Sequence, residues 1–181
     1  GTDPGFWHYV IEAEGIYAGS YYYETRYYDS IVNSGSGAGS EDMGASYIDV
    51  ADDNTTWDYA NNVTFPFGYG LSYTSFSFEM SDVSIEFEDR HEVKASFDVT
   101  VTNTGNVAGK TPVQIYAQSP YTDYDKQHGV EKSAVQLLSF EKTKKLDSNE
   151  SQTIHFDVDL QELASYDYKT AKTYIMEEGT Y

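Results

Sequence analysis

Between His91 and Thr102 every second residue is apolar: Val93, Ala95, Phe97, Val99 and Val101 alternate with polar neighbours. A period of two places all five on one face of an extended chain. Such a strand closes only half of a core and requires a second layer against it. The alternation recurs at Val113, Ile115 and Ala117, and again at Ile154, Phe156, Val158 and Leu160. On this pattern His155 faces away from Ile154 and Phe156. Turn chemistry interrupts the runs at Asn103-Thr104-Gly105-Asn106 and Asp147-Ser148-Asn149-Glu150. Phe76 and Phe78, then Val83, Ile85 and Phe87, predict one or two earlier strands. Val135 to Phe140 and Thr173 to Met176 predict shorter ones, and Gln161 to Ala164 a single helical turn. Short strands separated by polar turns predict an all-β fold, an antiparallel β-sandwich.

Residues 1–74 are of another character. They hold eleven of the 18 tyrosines, and eleven acidic side chains against a single basic one, Arg26. Val10 to Glu14 suits a short strand or turn, Ser34 to Gly39 is a Gly/Ser loop, and Asp49 to Asn62 is polar around Trp57 and Tyr59. No stretch here closes a core, so the sequence predicts an irregular N-terminal arm or the end of a larger unit. Tyr21, Tyr22, Tyr23, Tyr27, Tyr28, Trp57 and Tyr59 offer faces for stacking on sugars. Packing against a neighbouring surface is the stronger expectation, because an arm without a core must bury its rings somewhere.

The net charge of −19 repels phosphate backbones and anionic lipid, which argues against nucleic-acid and membrane-surface partners. There is no cysteine, hence no disulfide framework and no thiol chemistry. No apolar run is long enough to span a bilayer. The compartment stays open between cytoplasm and secretion, with a lean to the cytoplasm.

The two regions meet at Phe65-Pro66-Phe67-Gly68-Tyr69-Gly70-Leu71-Ser72-Tyr73-Thr74. Pro66 holds Phe65 extended, and the glycines permit tight turns and close backbone approach. This segment closely resembles the connector of glycoside hydrolase family 3 enzymes, which joins an α/β sandwich domain to a fibronectin type III-like domain. Upstream, Glu14 to Gly19 and Tyr22 to Tyr27 resemble the last segment of that α/β domain, with Ser20-Tyr21 where the family often has Tyr-Arg. Downstream, Val99 to Gly105, Ala108 to Lys110, Val113 to Tyr116, Leu138 to Lys142, and Asp167-Tyr168 before Glu178-Gly179 are similar to the family's sandwich. Tyr121 to Asp125, Gly129 to Lys132 and Tyr168 to Tyr174 look most like rearranged members whose catalytic barrel follows the sandwich.

The resemblance implies a division into residues 1–64, the tail of the α/β domain and not independently folded; residues 65–75, the connector; and residues 76–181, the fibronectin type III-like domain. The chain stops at Gly179-Thr180-Tyr181, where the family continues into a last strand. The expectation is therefore an incompletely covered sheet edge, filled by a symmetry mate, a partner chain or the displaced N-terminal arm. Between a coreless tail and a sandwich, Phe65, Phe67, Tyr69 and Tyr73 are expected to be largely buried.

Family 3 enzymes that retain configuration use a carboxylate nucleophile and a separate carboxylic acid. The resemblance places the nucleophile in a barrel domain and the acid in an earlier part of the α/β domain, both outside this sequence. No catalytic, cofactor-binding or metal residue is therefore expected, and no cofactor. Glu14 and Glu24 are expected to be solvated or paired with Arg26, itself an expected salt-bridge hub. Asp123, Asp125 and Gln127 before Gly129 faintly suggest a calcium loop, but the spacing fits a solvated loop better; Asp49, Asp52, Asp53 and Asn54 are read likewise. His8, His91, His128 and His155 lack metal-ligand spacing. Glycosylation triplets begin at Asn54, Asn62 and Asn149. The expected role is a non-catalytic accessory part of an enzyme hydrolysing terminal β-linked glycosides, partnered by its remaining catalytic domains. The alternative is a carbohydrate-binding module using exposed tyrosines.

Overall fold

The computed structural model describes residues 15–27, 59–87 and 93–181. Its centre is β3 (Val93–Asn103), the strand with the longest alternation in the sequence. β1 (Phe76–Met80) and β2 (Ser84–Phe87) lie end to end along one edge of β3, both antiparallel to it. On its other edge β3 pairs with β6 (Ser151–Asp159), with Phe97 opposite Phe156 and Val99 opposite Ile154. The second sheet has two antiparallel strands, β4 (Pro112–Ala117) and β5 (Gln136–Lys142), with a bulge between Ile115 and Tyr116. A hairpin of β7 (Ser165–Asp167) and β8 (Thr173–Ile175) follows a 3₁₀ turn at Leu160–Leu163.

The period-two pattern sorts the two faces of the first sheet. Phe97, Val99 and Val101 of β3 meet Ile154, Phe156 and Val158 of β6 in one buried cluster, which Val113 and Leu146 close from the other layer. The Phe97 and Phe156 rings stack with centroids 5.8 Å apart. Burying each such side chain contributes roughly 1.5–3 kcal/mol, so this cluster is the main cohesive element of the fold. On the opposite face the same register pairs polar side chains: Ser96 donates to Asp157 at 2.6 Å, and the Thr100 and Thr153 hydroxyls lie 2.9 Å apart. His155 lies on this outer face, 2.7 Å from Asp98, as the alternation predicts. These exposed cross-strand pairs fix register more than they add stability.

Asn103 is polar at a core position and fully buried. Its amide group donates to the Val107 and Leu146 carbonyls at 2.9 and 3.0 Å, and its oxygen accepts from Thr74 Oγ1 at 2.6 Å and the Gly105 amide at 3.1 Å. The turn that the sequence reads after β3 is thus organised by the last residue of the strand. The fold is an all-β sandwich built of antiparallel sheets, although its second sheet has only two strands among the described residues.

Helices are short: α1 (Ser20–Tyr27), α2 (Tyr59–Asn62) and α3 (Asp123–His128). α3 corrects the sequence reading of a solvated loop at Asp123, Asp125 and Gln127. Thr122 accepts from the Asp125 amide while Asp125 accepts from the Thr122 amide, a reciprocal cap at the helix start. Gly129 ends the helix at φ 64°, a left-handed conformation that glycine adopts without a Cβ penalty. The capping residues were present in the sequence; the missing signal was an apolar helical face, which so short a helix does not carry.

Candidate functional site

The connector lies between α1 and the outer face of β4–β5. Gly68 takes φ 79° and sits so close to β4 that a Cβ there would lie 2.3 Å from Gln114 Oε1. Gln114 Nε2 approaches the Gly68 carbonyl at 3.4 Å, and the Tyr69 amide donates to the Pro66 carbonyl at 3.0 Å to close the turn. At its far end Thr74 anchors the connector to Asn103. The Gly68 contact, the Thr74 hydroxyl and the Ser75 carbonyl, which accepts from the Thr104 amide at 2.8 Å, tie it to the sandwich.

Its rings do not bury. Phe65 is 65% exposed, Phe67 51%, Tyr69 53% and Tyr73 99%, which overturns the expectation of a closed seam lined by these residues. Phe65 stacks on Tyr69 at 5.0 Å, and Phe67 meets the edge of Tyr116 at 6.2 Å. The physical reason is geometric. The Gly68 approach sets the backbone against β4, so of the rings Phe67 reaches β4 only at the Tyr116 ring, while Phe65 and Tyr69 stack on each other.

Beside the connector, α1 and the segment before it dock by their own buried residues. Tyr17, Tyr22, Thr25 and Arg26 are buried, and Thr25 Oγ1 accepts from the Ala134 amide at 2.9 Å. Arg26 Nη1 donates to the Tyr22 hydroxyl at 2.5 Å, its guanidinium lies 5.8 Å from the Tyr22 ring centroid, and it engages further partners besides. Glu24 accepts from the Tyr59 hydroxyl at 2.6 Å, so it is neither simply solvated nor held by Arg26 alone. A cavity of about 600 Å³ opens between α1, the connector and the second sheet, lined in part by Tyr21, Glu24, Phe67 and Tyr116. Burial and the nearby Glu24 carboxylate push the Tyr116 phenol upward. Tyr22 and Tyr23 meet edge to face at 5.1 Å, Tyr22 buried and Tyr23 exposed. Glu14, Asp49, Asp52, Asp53, Asn54, Trp57, Tyr28, His8 and His91 lie outside the described residues.

Two charge clusters were not legible in advance. Asp125, read as a loop residue, is fully buried and receives Lys132 Nζ at 2.8 Å. Lys132 also donates to Glu177 and to the Pro120 carbonyl, and Thr122 donates to Glu177. Burial pushes the Asp125 carboxyl upward, reinforced by its hydrogen bond with Glu177 and opposed by Lys132. Burial pulls Glu177 up as well, but hydrogen bonds from Asp125, Lys132 and Thr122 carry it below its ordinary value. The two carboxyl groups share Lys132 and are pushed in opposite directions, Asp125 up and Glu177 down. This cluster pins the segment after β8 to α3. No group of His, Cys, Asp and Glu suited to holding a metal ion occurs among the described residues.

Asp167 is the second cluster. Its carboxylate accepts from the Lys169, Thr170 and Ala171 amides at 3.1, 2.9 and 2.9 Å and from the Tyr124 hydroxyl at 2.7 Å. The Thr170 amide, the Tyr124 hydroxyl and the other two amides hold it down at about 2. The sequence carried the signal as an aspartate preceding a Tyr-Lys-Thr turn, but nothing there marked it as buried.

Residues 111–181 match the fibronectin type III-like domain family. A beta-glucosidase of Ruminococcus albus is 41% identical over 107 residues, covering 59% of this chain and 10% of that protein. A periplasmic beta-glucosidase of Salmonella typhimurium is 37% identical over 108 residues, 59% of this chain and 13% of that one. The crystal structure of a beta-glucosidase from Paenibacillus barengoltzii superposes with a TM-score of 0.65 at 29% identity, over 93% of this chain and 14% of that one. The chain spans about a tenth to a seventh of the length of these relatives. The chain thus contains a fibronectin type III-like domain and is similar to the corresponding part of β-glucosidases.

Proposed function

We propose that the chain is a non-catalytic, architectural part of an enzyme that hydrolyses terminal β-linked glycosides by a two-step retaining route without a cofactor. In this reading residues 1–64 end an α/β domain, 65–75 connect, and 76–181 form the sandwich that buttresses the remaining catalytic domains. The observation that carries it is the connector: Phe65, Phe67, Tyr69, Leu71 and Tyr73 are each more than half exposed. So many exposed large apolar side chains in one short segment are the mark of a surface that another body covers. Retaining hydrolysis needs two carboxylates about 5 Å apart across a sugar, and Glu24 is occupied by Tyr59. Purified chain is expected to leave an aryl β-glucoside untouched. Turnover abolished by Glu14→Gln or Glu24→Gln would contradict the proposal. In the intact enzyme, Phe67→Ser with Tyr69→Ser is expected to lower Tm while leaving the isolated chain unchanged.

One observation favours a second reading. The cavity of about 600 Å³ combines the rings of Tyr21, Phe67 and Tyr116 with the Glu24 carboxylate, a set able to stack on a pyranose and accept its hydroxyls. Affinity electrophoresis on soluble β-glucans separates the two: retardation lost in Tyr116→Ala supports carbohydrate binding, and unretarded migration supports the architectural role.

A further inference from the structure

Around α3 two acidic groups are buried against one base. Asp125 is fully buried, and the side chains of Lys132 and Glu177 are 3% and 15% exposed. Both carboxyl groups bind the same Lys132 Nζ, which also donates to the Pro120 carbonyl. The two oxygens of Asp125 differ. Oδ2 accepts from the Thr122 amide and from Lys132, each at 2.8 Å. Oδ1 is buried and receives no donor. An ionised carboxylate can only accept, so a buried oxygen without a donor is costly as an anion. Asp125 and Glu177 are also hydrogen-bonding neighbours. That contact requires a proton, because two carboxylates have no donor between them.

Among the described residues, Lys132 is the cation whose charge acts on Asp125 and on Glu177. On α3 itself, Lys126 lies 4.0 Å from Asp123 with both side chains more than half exposed, and His128 meets the Tyr124 carbonyl. From the β7–β8 hairpin, Asp167 accepts from the Tyr124 hydroxyl, and Lys169 reaches the Gly129 end of the helix. Glu131 and Glu178 are the chain neighbours of Lys132 and Glu177. Tyr124 and Tyr181 also feel the charges of Asp125 and Glu177. The hydrogen bond to Asp167 pushes the first phenol up and burial the second, so both stay neutral where carboxyl groups titrate.

We propose that Asp125 and Glu177 share one proton beside Lys132, and that this proton closes a latch between α3 and the segment after β8. While it is held, one negative charge faces one ammonium and the contacts from Thr122 and Lys132 are complete. When it leaves to solvent, two carboxylates crowd one lysine, and repulsion drives Glu177, the more exposed of the two, outward. Asp125 is raised, so its contribution is present at low pH and lost as pH rises through its folded value. Glu177 is depressed, so its contribution is present above its ordinary 4.5 and lost as pH falls through its folded value. The latch is closed between these limits and opens on the alkaline side. It does not rest on the architectural role proposed above, since its groups all lie within residues 122–177.

The test follows the whole chain, isotope-labelled at aspartate and glutamate, through a pH titration by NMR. The side-chain carboxyl signals of Asp125 and Glu177 are expected to titrate as a coupled pair, one step above and one below the ordinary carboxylate range. Across the upper step, backbone order parameters of residues 177–181 are expected to fall from about 0.85 to below about 0.6, while those of β3 and β6 stay unchanged. Asp125→Asn keeps the shape of the side chain and offers Glu177 a donor that does not titrate. It is expected to hold the segment rigid throughout and to abolish the upper step. Glu177→Gln removes the second charge and is expected to lower the Asp125 step. Two carboxyl groups ionising together within the ordinary range, a segment whose order is indifferent to pH, or an Asp125 step indifferent to Glu177→Gln would overturn the proposal. So would an unaltered transition in Asp125→Asn; if that variant does not fold, the wild-type and Glu177→Gln titrations decide by the same criteria.

Discussion

Asn103 shows how much one side chain does in a small sandwich. It satisfies two carbonyls, one hydroxyl and one amide drawn from the connector, the turn after β3 and the Leu146 segment. Asn103→Ala leaves these groups without their partner and is expected to cost about 2–3 kcal/mol in denaturant unfolding; a change under about 0.5 kcal/mol would mean that water replaces it freely. Asp167 sets an acid limit. Its folded pKa is depressed, so its stabilisation is present above the ordinary value of 3.8 and is lost as pH falls toward about 2. Unfolding midpoints of the wild-type chain are expected to drop across that window. Asp167→Asn is expected to be less stable at neutral pH and to show a shallower acid limb. His155 acts with the opposite sign: its hydrogen bond to Asp98 raises its pKa, so its small contribution is complete below about 6.5 and fades as pH rises above it. Asn103 at the end of the alternation and Asp167 before a turn are visible in the sequence as residue types. Their burial is not, because it depends on partners more than forty residues away.

At the scale of elements, the strands with strict alternation were legible and the others were not. β3 and β6 follow a period of two, and the structure buries the side chains that the period selects. β1 and β2 also alternate, and the sequence correctly makes them strands; their exposure was hidden because burial needs an opposing layer. α3 was missed because its start rests on a Thr122–Asp125 cap and a buried ion pair, not on an apolar stripe. The connector was recognised from its glycines and rings, yet only the glycine contact behaves as expected. Gly68 holds a left-handed φ against Gln114, so Gly68→Ala is expected to destabilise by about 1–2 kcal/mol and to displace the connector from β4. NMR shifts of the Tyr116 ring report this directly, and an unperturbed ring with unchanged stability would show that the contact is incidental.

Among the described residues the molecule is a sandwich of unequal layers. One four-stranded sheet carries the core, while a two-stranded sheet covers the half nearest β6. Apolar side chains on β1 and β2, and the rings of the connector, are exposed among the described residues. The family resemblance was legible from scattered motifs, because turn glycines and strand alternation are fixed by backbone geometry. Unequal layers imply unequal protection. Native-state amide hydrogen exchange, read strand by strand, is therefore the most direct measurement. The expected result is slowest exchange at the β3–β6 ladder and markedly faster exchange in β1, β2 and the free edge of β4. Uniform slow exchange through β1, β2 and β4 would contradict a half-covered sandwich.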